Sequence, residues 1–215
     1  MFFKDIPLFA GLREAEHALL LQVAERRSYP RHTLLVQEGD RGEQFYLLRK
    51  GRAKVYLGNR DGREVILSLL GPGDFFGEMA LVDSEPCSAN VMTLEESEFV
   101  SIRMVEFQKM LATSPDMAMG LIKALSRRLR EADHQIESLA LNDVKARVEQ
   151  VLRSLAEPED GELVIPARIT HREMAAMVGT SREVVTRIFR NLEERGTVRV
   201  DGRRITVSPV AAVMS

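Results

Sequence analysis

Ile122-Lys-Ala-Leu125-Ser-Arg-Arg-Leu129-Arg-Glu-Ala132-Asp-His-Gln-Ile136-Glu-Ser-Leu139 places an apolar residue at every third, then fourth position. This is the a/d spacing of a coiled-coil seam, and no Gly or Pro interrupts it. It predicts a helix from about Ser114 to Leu141, roughly 40 Å long at 1.5 Å per residue. A seam made of Ile122, Leu125, Leu129, Ala132, Ile136 and Leu139 predicts pairing with a second copy of the chain. The competing arrangement is one amphipathic helix packed on its own neighbouring domain.

On the N-terminal side, Leu12 to Ala24 has helical periodicity, with acidic residues in its first turn where the helix dipole favours them. The reading places a short helical segment in residues 1–29 and ends it at Tyr29-Pro30. From Thr33 to Val105 the period changes. Leu34–Val36, Phe45–Leu48, Ala53–Leu57, Val65–Leu70 and Ser97–Ile102 are β-type runs separated by glycine turns. Asp61-Gly62 between two apolar runs is the strongest hairpin signal. Strands at this spacing predict a β-barrel or roll. One irregular stretch, Gly73 to Val91, contains Gly73 and Gly77 followed by a predicted short helix from Glu78 to Leu81. Such a turn suits an anion, phosphate above all, although a glycine turn that is only a turn is the commoner case.

On the C-terminal side, Leu141-Asn142-Asp143 reads as a break, with Asp143 capping a new helix from Val144 to Leu155. Glu157 to Gly161 reads as an acidic loop. Thr170 and Glu173 then form a capping box, Gly179 stops that helix, and Ser181 caps the next. Two short helices around a glycine turn, the second basic, predict a helix-turn-helix. A hairpin around Asp201-Gly202, carrying Arg203 and Arg204, supplies a wing. The fold class is therefore α+β, in three parts: a β-roll over residues 1–113, a dimer helix over 114–141, and a winged helix-turn-helix over 142–215.

Charge follows the same division. From Val164 to Ser215 there are nine Arg against five Asp/Glu, a local +4 in a chain of net charge −2, so the rest carries −6. A basic end on an acidic body points to an anionic partner such as nucleic acid. The single cysteine, Cys87, excludes an internal disulfide and an all-cysteine cluster, and no metal is expected. The sequence MFFKDIPLFAGL lacks signal-peptide character and no run approaches ~18–20 apolar residues, so a cytoplasmic, non-membrane protein is expected. No Ser/His/Asp order, metal-ligand spacing or P-loop is present, and the four histidines are scattered. An enzyme is not expected.

In a helix-turn-helix the first turns of the second helix enter the major groove. Arg182, Glu183, Thr186 and Arg187 share one face there. Arg can donate two hydrogen bonds to guanine O6 and N7, and Glu can accept from cytosine N4, so Arg182, Glu183 and Arg187 are the base-reading candidates. Thr170, His171, Ser181, Thr186, Arg190, Arg203 and Arg204 are backbone candidates, which set affinity and register. The alternative is a solvated charged face with no ligand.

At these residues the chain resembles the CRP/FNR family of bacterial transcription regulators over essentially its whole length. The resemblance rests on Gly73-Asp-Phe-Phe-Gly77-Glu78-Met-Ala-Leu81, Ser88-Ala89, Arg127-Arg128-Leu129 and Gly179-Thr-Ser-Arg182-Glu183-Val-Val-Thr-Arg187. It implies a cyclic-nucleotide-binding roll, a dimer helix, a TGTGA-type half-site in a pseudo-palindromic operator, and RNA polymerase as a partner. It also implies a ligand set of Gly77, Glu78, Met79, Ala80, Cys87, Ser88, Ala89, Ala132 and Asp133. Glu78 falls where the family accepts from a ribose hydroxyl. Cys87 stands where the family has a phosphate-binding arginine, and Ala132 and Asp133 stand where cyclic-AMP-binding members contact adenine with Thr and Ser. Losing a charge-assisted hydrogen bond costs roughly 1.5–3 kcal/mol, about ten- to a hundredfold in affinity. These departures argue against cyclic AMP. An ionised Asp133 can accept from the N–H groups of guanine, which points to cyclic GMP or cyclic di-GMP. Three alternatives remain: redox control through Cys87, a ligand-independent factor, and a nucleotide-binding module without DNA output.

Overall fold

The computed structural model describes residues 3, 6–166, 169–202 and 204–208. Contacts divide the chain into two compact units, Met1–Gly58 with Ile66–Ala132, and Asn59–Val65 with Asp133–Ser215.

The first unit is built on two four-stranded antiparallel sheets. One runs β1 (Glu25–Tyr29), β8 (Ser97–Arg103), β3 (Gln44–Lys50), β6 (Phe75–Phe76). The other runs β2 (Leu34–Val36), β7 (Asn90–Thr93), β4 (Ala53–Gly58), β5 (Glu64–Leu70). The unbroken apolar run Phe45-Tyr-Leu-Leu48 is explained by burial on both faces of β3. Phe45 and Leu47 enter one core with Phe75, Val100 and Ile102. Tyr46 and Leu48 face the other with Phe76, Val91 and Phe99. Three helices close the first core: α1 (Glu14–Val23), α3 (Met104–Thr113) and the start of α4 (Pro115–Leu141). Phe45 is its centre, fully buried and stacked on Phe107 with centroids 4.1 Å apart.

Several predicted elements differ. The N-terminal helix ends at Val23, well before Tyr29-Pro30, because Ala24 turns extended and residues 25–29 form strand β1. Glu-Arg-Arg-Ser-Tyr has no apolar alternation because it is an edge strand with polar side chains on both faces. Its Arg26 joins Arg49 in pairing with Glu98. Strand β7 and helix α3 have no counterpart in the sequence reading. The short helix α2 spans Met79–Asp83, one residue later than expected, with Glu78 at its N-cap position. The acidic loop is a hairpin, β9 (Glu157–Glu159) and β10 (Glu162–Ile165). Asp160 and Gly161 both take positive φ at its tip, the geometry that joins strands in a two-residue turn.

Helix α4 begins where predicted. Ser114 Oγ accepts from Met117 N, and Pro115 occupies the first turn, where its missing N–H costs nothing. Gly120 lies against Leu8, whose backbone oxygen would sit 3.1 Å from an added Cβ. Met117, Leu121, Ala124 and Leu125 bury one stripe in the roll core. Leu125 is therefore not a free seam residue, since it lies one turn beyond Leu121 on the roll-facing stripe. Ile122, Leu129 and Ile136 project elsewhere, and 57%, 65% and 65% of their surface is exposed. Within one chain the first half of the helix is docked on the roll and an apolar row is left uncovered.

In the second unit α5 (Val144–Leu155) starts at Asp143, whose Oδ1 accepts from Ala146 N at 2.8 Å. The break after Leu141 is pinned rather than loose. Arg147 Nη1 donates to the Leu139 and Asn142 carbonyls, and Ser138 Oγ donates to Gln150 Oε1. Helices α6 (His171–Val178) and α7 (Arg182–Glu194) follow, packed with α5 and a four-stranded sheet ordered β11 (Val198–Asp201), β12 (Arg204–Val207), β10, β9.

Truncating Phe45 leaves a cavity among Phe9, Phe75 and Phe107. Phe45→Ala should cost about 3–5 kcal/mol in urea denaturation of the intact chain, and a loss below about 1 kcal/mol would contradict this packing.

Candidate nucleic-acid interface and ligand cassette

The helix-turn-helix is assembled by its caps. Thr170 Oγ1 accepts from Glu173 N at 3.1 Å, and Glu173 Oε2 accepts from Thr170 N at 2.6 Å, completing the capping box. Gly179 adopts the left-handed conformation that closes α6, and Ser181 Oγ accepts from Val184 N to open α7. Apolar residues Val185, Phe189 and Leu192 are buried, which fixes the rotation of α7. Arg182, Glu183, Thr186, Arg187 and Arg190 are all exposed on its opposite side. The sequence-predicted base-reading set is thus together on one outward face. Glu183 is held below the usual carboxylate range by its own backbone N–H and by the Ser181 hydroxyl. It is an acceptor only.

The backbone candidates separate into groups. Thr170 and Ser181 spend their hydroxyls on caps. His171 Nδ1 lies 2.9 Å from Thr186 Oγ1, and that hydroxyl reaches the Arg182 carbonyl. Arg190 is exposed on α7. Arg204, on the wing, is paired with Glu159 at 3.1 Å, and Arg199 with Glu162 at 3.5 Å. The acidic hairpin therefore partly neutralises the wing, which its sequence as a loop did not suggest. Arg203 lies outside the described residues.

Of the ligand set predicted in the roll, Gly77 to Ala80 and Cys87 to Ala89 lie within the first unit, and Asp133 falls in the second. Gly77 has a φ of 90° and packs its Cα against the Gln44 carbonyl, where a Cβ would collide. Glu78 follows, only 2% exposed. Its carboxylate accepts from Arg128 Nη1, while Arg128 Nη2 donates to the Phe75 carbonyl. The guanidinium also lies over the Phe75 ring, 4.7 Å from its centroid. Arg128 was absent from the predicted ligand set. Its signal was positional: it continues the stripe of Met117, Leu121 and Leu125 onto the roll, where an arginine needs an anionic partner.

Ala80 and Cys87 flank Gly42, whose added Cβ would lie 2.5 Å from Ala80 Cβ and 3.4 Å from Cys87 Sγ. Cys87 exchanges backbone hydrogen bonds with the 39–40 turn, donating to Asp40 O and accepting from Gly39 N, both at 2.8 Å. Burial, and then Asp40, push its thiol up, which keeps it protonated and poorly nucleophilic. Ser88 is exposed with Oγ 3.7 Å from Met79 Sδ, and Ala89 is buried. Ala132 is exposed one turn beyond Arg128 on α4. Asp133 is exposed too, and begins the part of α4 that belongs to the second unit. Among the described residues no group of three His, Cys, Asp or Glu side chains could hold a metal ion, and no helix is long and apolar enough to cross a membrane.

Comparison with known proteins identifies the domain family of each part of the chain. Residues 26–114 match the cyclic nucleotide-binding domain family, and residues 146–213 match the Crp-like helix-turn-helix domain family. The chain is 36% identical over 208 residues to the cyclic AMP receptor protein of Thermus thermophilus, covering 97% of this chain and 95% of that one. It is 30% identical over 205 residues to a CRP-like cAMP-activated global transcriptional regulator of Mycobacterium tuberculosis, with 94% and 92% covered. Among solved structures, the c-di-GMP responsive global regulator CLP of Xanthomonas campestris superposes with a TM-score of 0.77 at 25% identity, covering 91% of this chain and 99% of that one. The matches span both units at nearly full length, and the relatives are transcription regulators rather than enzymes. The chain belongs to the CRP/FNR family: it is a DNA-binding transcription regulator that carries a cyclic nucleotide-binding domain.

Proposed function

We propose that two copies of the chain, joined along α4, read a pseudo-palindromic operator with TGTGA-like half-sites under control of a nucleotide bound in the roll. Residues 1–113 act as the sensor, 114–141 as the dimer helix and 142–215 as the reader. The observation that carries this reading is the outward face of α7, where Arg182, Glu183 and Arg187 stand exposed over a rigid apolar backing. Arg182 and Arg187 supply the bidentate donors that guanine accepts, and the ionised Glu183 accepts from cytosine. The uncovered row of Ile122, Leu129 and Ile136, spaced by seven, supports self-association, with Ala132 and Leu139 completing the seam. A dimer of this kind sets two recognition helices about 34 Å apart, one turn of DNA. RNA polymerase is the further partner and the cytoplasm the site of action.

The effector proposed is a guanine-containing cyclic nucleotide. Gly77, Glu78, Met79, Ala80, Ser88 and Ala89 form its cradle, beside Cys87. Two sequence relatives respond to cyclic AMP and one structural neighbour to cyclic di-GMP, so the family cassette serves more than one nucleotide. Here Cys87 brings no positive charge to the phosphate, and Ala132 brings no polar atom to a base. Asp133 brings an acceptor, which guanine N–H donors match. A second reading, regulation without a ligand, is favoured by one observation: Arg128 already satisfies Glu78. The protonated thiol of Cys87 weighs against redox control.

Arg182→Ala should cost about 1–3 kcal/mol on a TGTGA-containing duplex and relax preference at the base it reads. Arg190→Ala should weaken specific and random duplexes alike and flatten the salt dependence. Anisotropy titrations of both variants check this, and equal losses on both duplexes for Arg182→Ala would contradict the assignment. Titration calorimetry with cyclic GMP and cyclic di-GMP tests the effector. Binding of either is expected, tighter than that of cyclic AMP, and no heat at millimolar concentrations would favour ligand-independent regulation.

A further inference from the structure

The contact between His171 and Thr186 bears on where the imidazole carries its hydrogen. A threonine hydroxyl has one hydrogen to give. Thr186 Oγ1 gives it to the Arg182 carbonyl, 2.9 Å away in the same helix. With its hydrogen on that carbonyl, the hydroxyl accepts from His171 Nδ1, also at 2.9 Å. In that arrangement Nδ1 carries N–H in either charge state, and Nε2 is a bare lone pair whenever the ring is neutral. Among the described residues Nε2 has no hydrogen-bond partner, yet it is not a buried orphan, so it faces solvent. The ring is held from behind by Phe189, with centroids 4.7 Å apart. A half-buried imidazole fixed at one nitrogen and one face thus presents a single variable atom beside the exposed face of α7.

The charges acting on this ring are few. From α7, Arg182 disfavours the imidazolium and Glu193 favours it. On its own helix, Glu173 is committed to the Thr170 cap and Arg172 is exposed. Helix α5 packs on α6, but among the described residues none of its charged groups is among those acting on the ring. Burial, and then Arg182, push the imidazole below the usual histidine value of 6.5, so it is neutral near pH 7 in the free protein. A neutral Nε2 offers a lone pair to a phosphate oxygen, which repels. A protonated one offers a charge-assisted N–H donor at no cost in geometry, since Thr186 keeps the ring in place.

We propose that His171 is a proton-gated phosphate ligand: each ring takes one proton from solvent as α7 seats on DNA, and its Nε2–H then donates to a backbone phosphate oxygen. The proposal rests on the DNA-reading function above. It gives opposite signs to two pH dependences. In the free protein the lowered value stabilises the neutral form, so this group's contribution to folding is complete above about pH 6.5 and is lost as pH falls through the folded value. DNA binding instead tightens as pH falls through that region, because the bound state holds the extra proton.

Phosphate contacts are independent of sequence, so the test uses a labelled random-sequence duplex at low salt and needs neither an operator nor an effector. Anisotropy titrations from about pH 5.5 to 8 should show log K falling with pH, the slope approaching about −1 per engaged histidine. In His171→Gln the slope due to this group should vanish. In His171→Arg binding should be tight and independent of pH. The wild-type slope persisting in His171→Gln would overturn the proposal. Should that variant misfold, the wild-type His171 resonance titrated by NMR with and without duplex decides instead: a pKa that rises on binding supports the gate, and an unchanged one overturns it. No binding of random duplex at any pH would instead remove the DNA-reading function itself.

Discussion

A carboxylate taken out of water must find a cation, and in the roll Glu78 finds Arg128. An unpaired buried charge costs several kcal/mol, so this contact fixes which face of α4 meets the sheet. The rest of that face follows by helical spacing. Met117, Leu121, Ala124 and Leu125 go into the core beside Phe45 and Phe107. The same rotation turns Ile122 and Leu129 away from the roll. The pair also ties Glu78, a member of the proposed ligand cassette, to the helix. Any ligand hydroxyl that uses Glu78 as its acceptor shares the carboxylate with Arg128, and so acts on α4 without touching its apolar row.

Much of this arrangement could be read from residues whose local chemistry and tertiary role agree. The cap of α5 at Asp143, the box of Thr170 with Glu173, the left-handed Gly179 and the Ser181 cap were all legible because a cap is defined by its own few residues. Apolar runs in β3, β5 and β8 were legible for the same reason. Segments defined only by a partner were not. Glu25–Tyr29 is a strand because β8 offers it an edge, and nothing in its composition says so. The pair Asp160-Gly161 carries a hairpin signal, but Glu157-Pro-Glu has no strand character of its own and is ordered by β10. Arg128 sat in plain view on the helix, yet its partner lies 50 residues away. Local pattern cannot supply such a pairing.

Electrostatics in the second unit show a similar division between what a residue is and what it meets. Arginine dominates this half of the chain, but Arg199 and Arg204 are answered by Glu162 and Glu159 from the neighbouring strands. Exposed pairs of this kind are worth at most about 1 kcal/mol, so a phosphate can displace the carboxylate readily. On α7, Arg182, Arg187 and Arg190 are exposed, and the hydroxyls of Ser181 and Thr186 are turned to a cap and to a backbone carbonyl. Under the proposed function, the helix then supplies constant affinity and the wing adjustable affinity.

The proposed function requires two reading helices held at a fixed separation by paired α4 helices. Selecting bound sequences from a pool of random duplexes tests this directly with the intact chain. The predicted result is an inverted pair of TGTGA-like half-sites with centres about one helical turn apart. Enrichment of a lone half-site, of half-sites at variable spacing, or of no sequence at all would contradict it.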